Sequence, residues 1–236
     1  MGIYIAETMP PQEVGALVAD QFANGADYVH LQGMSFHRME ETERAAYIRT
    51  VSSAVGELTL TNADITSDVW KLDKTTSPSS ARIPYHTDDP YYQQPEKIVG
   101  FWNVKSSADG GENVLLPTAR ILDWASTSTE ASELADQLAQ PVEFAYQNHT
   151  GTGPMLNPET GMARFDRRYV VGEGAGKVAT RFTELLESNT LLGEPVKLAE
   201  GEVLFFDNHK LLHAREQYTD TNRVSYRVRL NPSSPA

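Results

Sequence analysis

The chain has 236 residues, a formal net charge of −12 and a hydrophobic share of 40%. This length fits one domain with a sizeable core, and no apolar run approaches the roughly 20 residues that cross a bilayer. The acidity and the lack of a basic run disfavour nucleic acid as a partner. Because the chain has no cysteine, metal ligands must come from His, Asp, Glu or water. The N-terminus lacks the basic and apolar regions of a signal peptide, which favours a cytoplasmic, non-membrane protein.

The N-terminal third alternates helical and extended patterns. Residues 11–24 have apolar positions at helical spacing and stop at Gly25. The stretch "ADYVHLQGM" then predicts a strand, 38–55 a second helix, and "SDVWKLDK" another strand. The Ser/Pro-rich stretch "TTSPSSARIP" predicts a loop that leads into "YHTDD".

The remaining two thirds consist mostly of short strands separated by turns. Helices are predicted only over about 118–139 and 175–188. The predicted strands are "KIVGFWNVK", "ENVLLP", "PVEFAYQN", "GPMLNP", "MARFD", "VKLA", "EVLFFDN" and "RVSYRVRLN". This spacing is typical of a β-sandwich or barrel flanked by helices, so we predict an α+β, mainly β, fold.

The stretch "IPYHTDDPYY" carries a histidine and an aspartate two positions apart, where a strand should end. Residues i and i+2 of a strand point to the same side, so His86 and Asp88 can contribute two ligands to one metal. Two histidines and one carboxylate form the ligand set of non-haem iron(II) oxygenases. A third ligand must come from elsewhere in the chain.

Two histidines near the C-terminus are candidates for that third ligand. In "GEVLFFDNHKLLHARE" an apolar strand runs into an Asp-Asn turn, which is followed by His209 and His213.

The stretch "RVSYRVRL" alternates strictly between apolar and polar positions. As a strand, it would place Arg223, Ser225, Arg227 and Arg229 on one face. That face either lies in water or points at anions, and a buried arginine needs an anion such as a dicarboxylate co-substrate.

The order His86-x-Asp88, "DGGENVLLP", "GEVLFFDNHKLLHAR" and "NRVSYR" resembles the taurine dioxygenase and clavaminate synthase superfamily of iron(II)- and 2-oxoglutarate-dependent oxygenases. The resemblance covers roughly residues 80–230. It implies a double-stranded β-helix, or jelly roll, as the core of a single domain over 1–236. It also implies Fe(II), 2-oxoglutarate and dioxygen as the reacting groups.

Carried over to this sequence, the resemblance implies that His86, Asp88 and His213 bind iron. The spacing from the Asp-Asn turn matches the family histidine to His213 and not to His209. Arg223 would bind the distal carboxylate of 2-oxoglutarate, and Arg227 either that carboxylate or a substrate anion. At the position where many relatives have a threonine that contacts 2-oxoglutarate, this chain has Asn113.

The implied reaction is oxidation, most simply hydroxylation, of an unactivated C–H bond. Asp88 disfavours halogenation, because the related halogenases replace this carboxylate with a small residue. Acidic and basic residues near the proposed pocket favour a small zwitterion, such as an amino acid or an amino-acid-derived metabolite, as the substrate. The candidates for these contacts are Asp89 and Asp166 for an amine, Arg164, Arg227 and Arg229 for a carboxylate, and Tyr91 for an apolar wall.

Two other classes of protein remain compatible with the triad. Two histidines and one carboxylate also describe a catalytic zinc site, as in a hydrolase or isomerase. A non-catalytic jelly-roll binding protein could carry the triad by coincidence. The arginine pair and the Gly110-Gly111 pair argue against the zinc enzyme, whose chemistry needs no 2-oxoglutarate, and leave the binding protein open.

Overall fold

A computed structural model describes residues 2–5, 8–60, 67–188 and 190–232. The strands are β1 (Gly2–Tyr4), β2 (Tyr28–Gln32), β3 (Glu57–Leu58), β4 (Trp70–Leu72), β5 (Ile83–His86), β6 (Ile98–Lys105), β7 (Asn113–Pro117), β8 (Pro141–Tyr146), β9 (His149–Pro154), β10 (Glu194–Val196), β11 (Val203–Asp207), β12 (Leu211–Arg215) and β13 (Val224–Asn231). The helices are α1 (Pro11–Ala23), α2 (Glu41–Val55), α3 (Thr118–Ala125), α4 (Thr129–Leu138) and α5 (Glu173–Glu187). None of the helices in these ranges is long and apolar enough to span a membrane.

The strands form two main sheets and a hairpin. The seven-stranded sheet has the order β1-β2-β11-β6-β13-β3, with β4 paired to β13, and the four-stranded sheet has the order β10-β7-β12-β5. All pairings are antiparallel except that between β1 and β2. Strands β8 and β9 form the separate hairpin. The α+β, mainly β, prediction is confirmed.

Strand alternation sorts the side chains of both sheets into layers. On β6 of the larger sheet, Val99 and Phe101 join a cluster that also contains Leu115 and Leu211 of the smaller sheet. Ile98 and Trp102, which alternate with them along β6, lie on the opposite face of the larger sheet and pack against α1 and α2. The outer face of the smaller sheet packs against α3, α4 and α5. The two sheets therefore face each other across a shared core, with helices outside both.

Several predicted elements differ from the structure. The strands expected over 153–158 and 196–199 are largely absent, since β9 ends at Pro154 and β10 ends at Val196. The helix expected over 118–139 is two helices, because Ser128 caps a new one by accepting a hydrogen bond from Ala131 N at 3.1 Å. The stretch 162–166, predicted as a strand, contributes only an isolated bridge at Ala163. Its backbone instead forms a hydrogen bond with the segment that carries His86 and Asp88, because Thr87 N donates to Phe165 O at 2.6 Å.

The close approach of β6 to its neighbours gives a stability prediction. A Cβ at Gly100 would lie 2.6 Å from Phe205 and 2.7 Å from Val228. Gly100→Ala should therefore lower the free energy of unfolding by about 1–3 kcal/mol through overpacking. Urea denaturation measures the change.

The matched control is Gly176→Ala in α5, where an added Cβ meets nothing within 4 Å. Helix propensity alone should make that variant more stable by up to about 1 kcal/mol. Equal effects of the two substitutions would contradict the packing described for β6.

Candidate metal centre

The two predicted parts of the metal site meet between neighbouring strands. His86 is the last residue of β5, and its backbone partner on β12 is His213. Asp88 Oδ1 lies 3.7 Å from His86 Nε2 and 3.6 Å from His213 Nε2. One ligand atom from each of these residues lies within 4.8 Å of the others.

Both histidines direct Nε2 at Asp88 Oδ1. Pro84 O lies 2.8 Å from His86 Nδ1, so it accepts the Nδ1 proton and leaves the Nε2 lone pair available. The His213 ring lies against Phe101 and Phe206. Burial and the nearby His86 lower the pKa of His213 well below its ordinary value. A neutral imidazole is the form that binds a metal.

The second oxygen of Asp88 faces arginines of β13. Arg227 Nη1 lies 3.1 Å and Arg229 Nε 3.3 Å from Asp88 Oδ2. Burial alone would raise the pKa of Asp88, but the two arginines and the two histidines lower it well below its usual range. Asp88 is therefore a carboxylate with one oxygen directed at the histidines and the other at the arginines.

The Asp-Asn turn holds the backbone of the ligand segment. Asn208 Oδ1 accepts from Asp88 N at 2.8 Å, and Asn208 Nδ2 donates to Asp88 O at 3.1 Å and to Glu96 O at 2.9 Å. Asp207 Oδ1 accepts from His209 N at 2.9 Å and so closes the turn that precedes β12. The turn thereby fixes the position of Asp88 relative to His213.

Two cavities border both His86 and Asp88, and a third, of about 330 Å³, reaches His86 alone of the triad. The first, here called the arginine cavity, has a volume of about 140 Å³; besides the triad it is lined by Trp70, Leu72, Ser77, Ile83, Phe101, Asn113, Arg215, Arg223 and Arg227. The second, the tyrosine cavity, has a volume of about 240 Å³ and is lined by Trp70, Ile83, His86, Thr87, Asp88, Asp89, Tyr91, Tyr146, Asp166, Arg168, Tyr169, Arg227 and Arg229. Both cavities border His86, Asp88 and Arg227, whereas His213 lines only the arginine cavity.

No protein-family model matches the chain. The chain is 30% identical over 174 residues to mitochondrial trimethyllysine dioxygenase of Mus musculus, and the match covers 65% of this chain and 41% of that relative. The Homo sapiens protein of the same name is 29% identical over 174 residues, with the same coverage. The chain therefore spans less than half the length of the curated relatives that it matches.

Solved structures share the fold over nearly the whole chain. Asparagine oxygenase, in complex with Fe(II), 2S,3S-3-hydroxyasparagine and succinate, has a TM-score of 0.72 at 12% identity, over 98% of this chain and 94% of that one. The non-haem iron oxygenase OrfP, in complex with Fe and α-ketoglutaric acid, has a TM-score of 0.68 at 17% identity, over 94% and 80%. The predicted resemblance to the taurine dioxygenase and clavaminate synthase superfamily is confirmed.

The donor set fits the iron of this superfamily. Two neutral imidazoles and one anionic carboxylate are the ligands of non-haem iron(II) oxygenases, and His86, Asp88 and His213 supply them from one small volume. The arginine cavity likewise fits a dicarboxylate. Asn113 Nδ2 and Arg227 Nε are buried there without a hydrogen-bond partner among the described residues, and Arg223 lines the same cavity.

The residues predicted to contact a substrate do not all lie at the site. Asp89, Asp166, Arg229 and Tyr91 line the tyrosine cavity. Arg164 lies away from both cavities, because its guanidinium donates to Thr152 O at 3.0 Å and Gln93 O at 2.9 Å. Its placement does not favour the predicted contact with a substrate carboxylate.

The two acidic residues expected to bind an amine already have cationic partners. Asp89 forms an ion pair with Arg229 and accepts from Tyr91 Oη at 2.6 Å. Asp166 accepts from Arg168 Nη2 at 2.5 Å. Asp89 was predicted to contact a substrate amine and Arg229 a substrate carboxylate, but in the structure the two side chains pair with each other.

Several residues at the site were not predicted. Arg168, Tyr146 and Tyr169 line the tyrosine cavity, but they come from hairpin and loop segments whose position no local pattern reveals. Trp70 borders both cavities and lies 4.6 Å beneath the Arg227 guanidinium. Arg215 was detectable, because it follows His213 by two positions on the same strand face.

The choice between the two C-terminal histidines gives a prediction on metal binding. His213→Ala should weaken Fe(II) binding by more than about 100-fold, since even outer partners of metal ligands contribute about 10- to 100-fold. Calorimetric titration with Fe(II) under anaerobic conditions measures the change.

His209→Ala is the matched control, because His209 Nε2 bonds Pro95 O at 2.9 Å. That variant should bind Fe(II) like the parent protein. A larger loss from His209→Ala than from His213→Ala would contradict the ligand assignment.

Proposed function

We propose that the protein is a non-haem iron(II)- and 2-oxoglutarate-dependent dioxygenase that hydroxylates a small amino-acid-like substrate. One observation carries the proposal: a triad of two histidines and one aspartate borders a cavity with buried, unpartnered cationic and amide donors. A zinc hydrolase or isomerase would share the triad but has no need of a dicarboxylate-binding cavity. The names of the sequence relatives and solved structures support the same class of reaction.

In this proposal His86, Asp88 and His213 bind iron, and the arginine cavity binds 2-oxoglutarate. Once bound, iron, 2-oxoglutarate and dioxygen supply C–H oxidation, with conversion of 2-oxoglutarate to succinate and carbon dioxide. Arg223 would pair with the distal carboxylate, and Asn113 would donate a hydrogen bond to it. Asn113 is buried and Arg223 is partly buried, and a reduced exposure to water strengthens the interaction of such donors with an anion.

The tyrosine cavity is the proposed substrate site. Its volume of about 240 Å³ suits a small molecule better than a polymer. Its tyrosines supply an apolar wall, and its carboxylates and guanidiniums can contact opposite ends of a zwitterion. Arg168, whose side chain is 63% exposed, and Arg227 would contact a carboxylate. Asp89 and Asp166 would contact an amine while they keep their arginine partners.

The proposal includes the architecture of the domain. We assign the two facing antiparallel sheets to the double-stranded β-helix, or jelly-roll, class, with residues 1–236 as one oxygenase domain. The shared core of Val99, Phe101, Leu115 and Leu211 between the sheets supports this assignment. The superfamily resemblance favours it over other β-sandwiches.

The proposed function predicts that the Fe(II)-loaded protein releases succinate from 2-oxoglutarate and oxygen. An amino acid or related zwitterion should stimulate the release, and the product should gain one oxygen atom. A screen of amino acids and their derivatives measures succinate and product mass together. Asp88→Ala is the control and should release none, because the anionic ligand is lost.

Absence of succinate with every substrate, from protein shown to bind iron, would contradict the oxygenase proposal and favour a hydrolase or a binding protein. Stimulation only by uncharged apolar molecules would contradict the zwitterion proposal alone. A product that loses two hydrogens would replace hydroxylation by desaturation or cyclisation at the same iron site.

A further inference from the structure

A third arginine faces the arginine cavity beside Arg223 and Arg227. Arg215 is the last residue of β12, two positions after His213, so both side chains point to the same face of the sheet. Its backbone partner on β7 is Asn113. Directly opposite residues of antiparallel strands have neighbouring side chains. The strand that carries His213 therefore also places Arg215 opposite Asn113, and both residues line the arginine cavity.

The contacts of Arg215 with the described residues leave its buried Nε unused. Its Nη2 donates to Ser79 O at 2.8 Å and to Ala81 O at 2.7 Å, which fixes the direction of the side chain. Its guanidinium lies 4.9 Å from the centre of the Tyr218 ring. Its buried Nε has no hydrogen-bond partner in the described ranges, and neither has Asn113 Nδ2. An unsatisfied buried donor is costly unless a ligand accepts from it.

The charges around the cavity also favour an anion, although Arg215 and Arg223 both contact the Tyr218 ring. Arg227 has a partner in Asp88. Within the described residues, no carboxylate lies within 4.0 Å of Arg215 or Arg223. Burial lowers the pKa of both guanidiniums, and Arg215 lowers the pKa of Arg223 further by repulsion. A carboxylate bound between them would compensate both charges.

We propose that Arg215 is a second arginine of the 2-oxoglutarate site, whose Nε donates to the distal carboxylate together with Asn113 Nδ2 and Arg223. This inference rests on the proposed function, because it needs 2-oxoglutarate in the arginine cavity. It also gives the unpartnered Nδ2 of Asn113, the backbone partner of Arg215, an acceptor in the cavity. The distal carboxylate would then lie between two cations and one amide donor.

The test combines a substitution with a truncation of the ligand. Fe(II)-loaded protein is titrated anaerobically with 2-oxoglutarate and with 2-oxobutyrate, which has the same 2-oxoacid end but no distal carboxylate. Arg215→Met should weaken 2-oxoglutarate binding by about 10- to 100-fold, the effect of losing a charged hydrogen bond. Binding of 2-oxobutyrate should stay within about twofold, because that ligand makes no contact with Arg215.

Three further variants define the outcomes. Arg223→Met is the reference and should show the same selectivity for the distal carboxylate. Arg120→Met, whose arginine bonds Leu192 O on the surface, should change neither affinity. Arg215→Lys keeps a donor for Ser79 O and Ala81 O but lacks the Nε–H, so it should show the selective loss even if Arg215→Met does not fold.

If the Arg215 variants lose affinity equally for 2-oxoglutarate and for 2-oxobutyrate, Arg215 has a structural role and the inference is overturned. Unchanged affinity for 2-oxoglutarate would also overturn it. If the parent protein, loaded with iron, binds neither 2-oxoacid, the proposed function itself fails. That result is distinguishable, because it appears before any Arg215 variant is compared.

Discussion

The buried carboxylate of Asp88 is the interaction on which the arrangement of the site depends. One of its oxygens faces His86 and His213 on the smaller sheet, and the other faces Arg227 and Arg229 on the larger sheet. A buried carboxylate without cations would be strongly destabilising, and breaking such a pair by removing one partner costs about 3–5 kcal/mol. The negative charge thus ties the two sheets together at the point where a metal would bind.

The contact between Asp88 and Arg227 also determines how the space around the triad is divided. Arg227 borders both cavities, and the indole of Trp70 supports its guanidinium. On one side the arginine cavity carries positive charge that the described residues do not compensate. On the other side the carboxylates of the tyrosine cavity are paired with arginines. The arginine cavity therefore suits a dianionic co-substrate. The tyrosine cavity, on the other side of the Asp88 carboxylate, suits a zwitterionic substrate.

Much of the site could be predicted because strand periodicity is local. The two-residue spacing of His86 and Asp88 predicted their common direction, and the family resemblance, aligned on the Asp-Asn turn, predicted that His213 lies beside them. The fold class followed from many short strands, although a serine cap divided one predicted helix. The direction of the Arg164 side chain could not be predicted, because hydrogen bonds to distant backbone carbonyls decide it. Pairing between charged residues likewise depends on tertiary contacts, so a list of acidic and basic residues could not reveal it.

The most direct test of the central claim is optical. Anaerobic addition of Fe(II) and 2-oxoglutarate to the protein should produce a weak violet charge-transfer band, because both must bind together at a metal centre with open positions. The band should not form with Fe(II) alone or with 2-oxoglutarate alone. Its absence from protein shown by calorimetry to bind Fe(II) would contradict a 2-oxoglutarate-dependent oxygenase site at His86, Asp88 and His213.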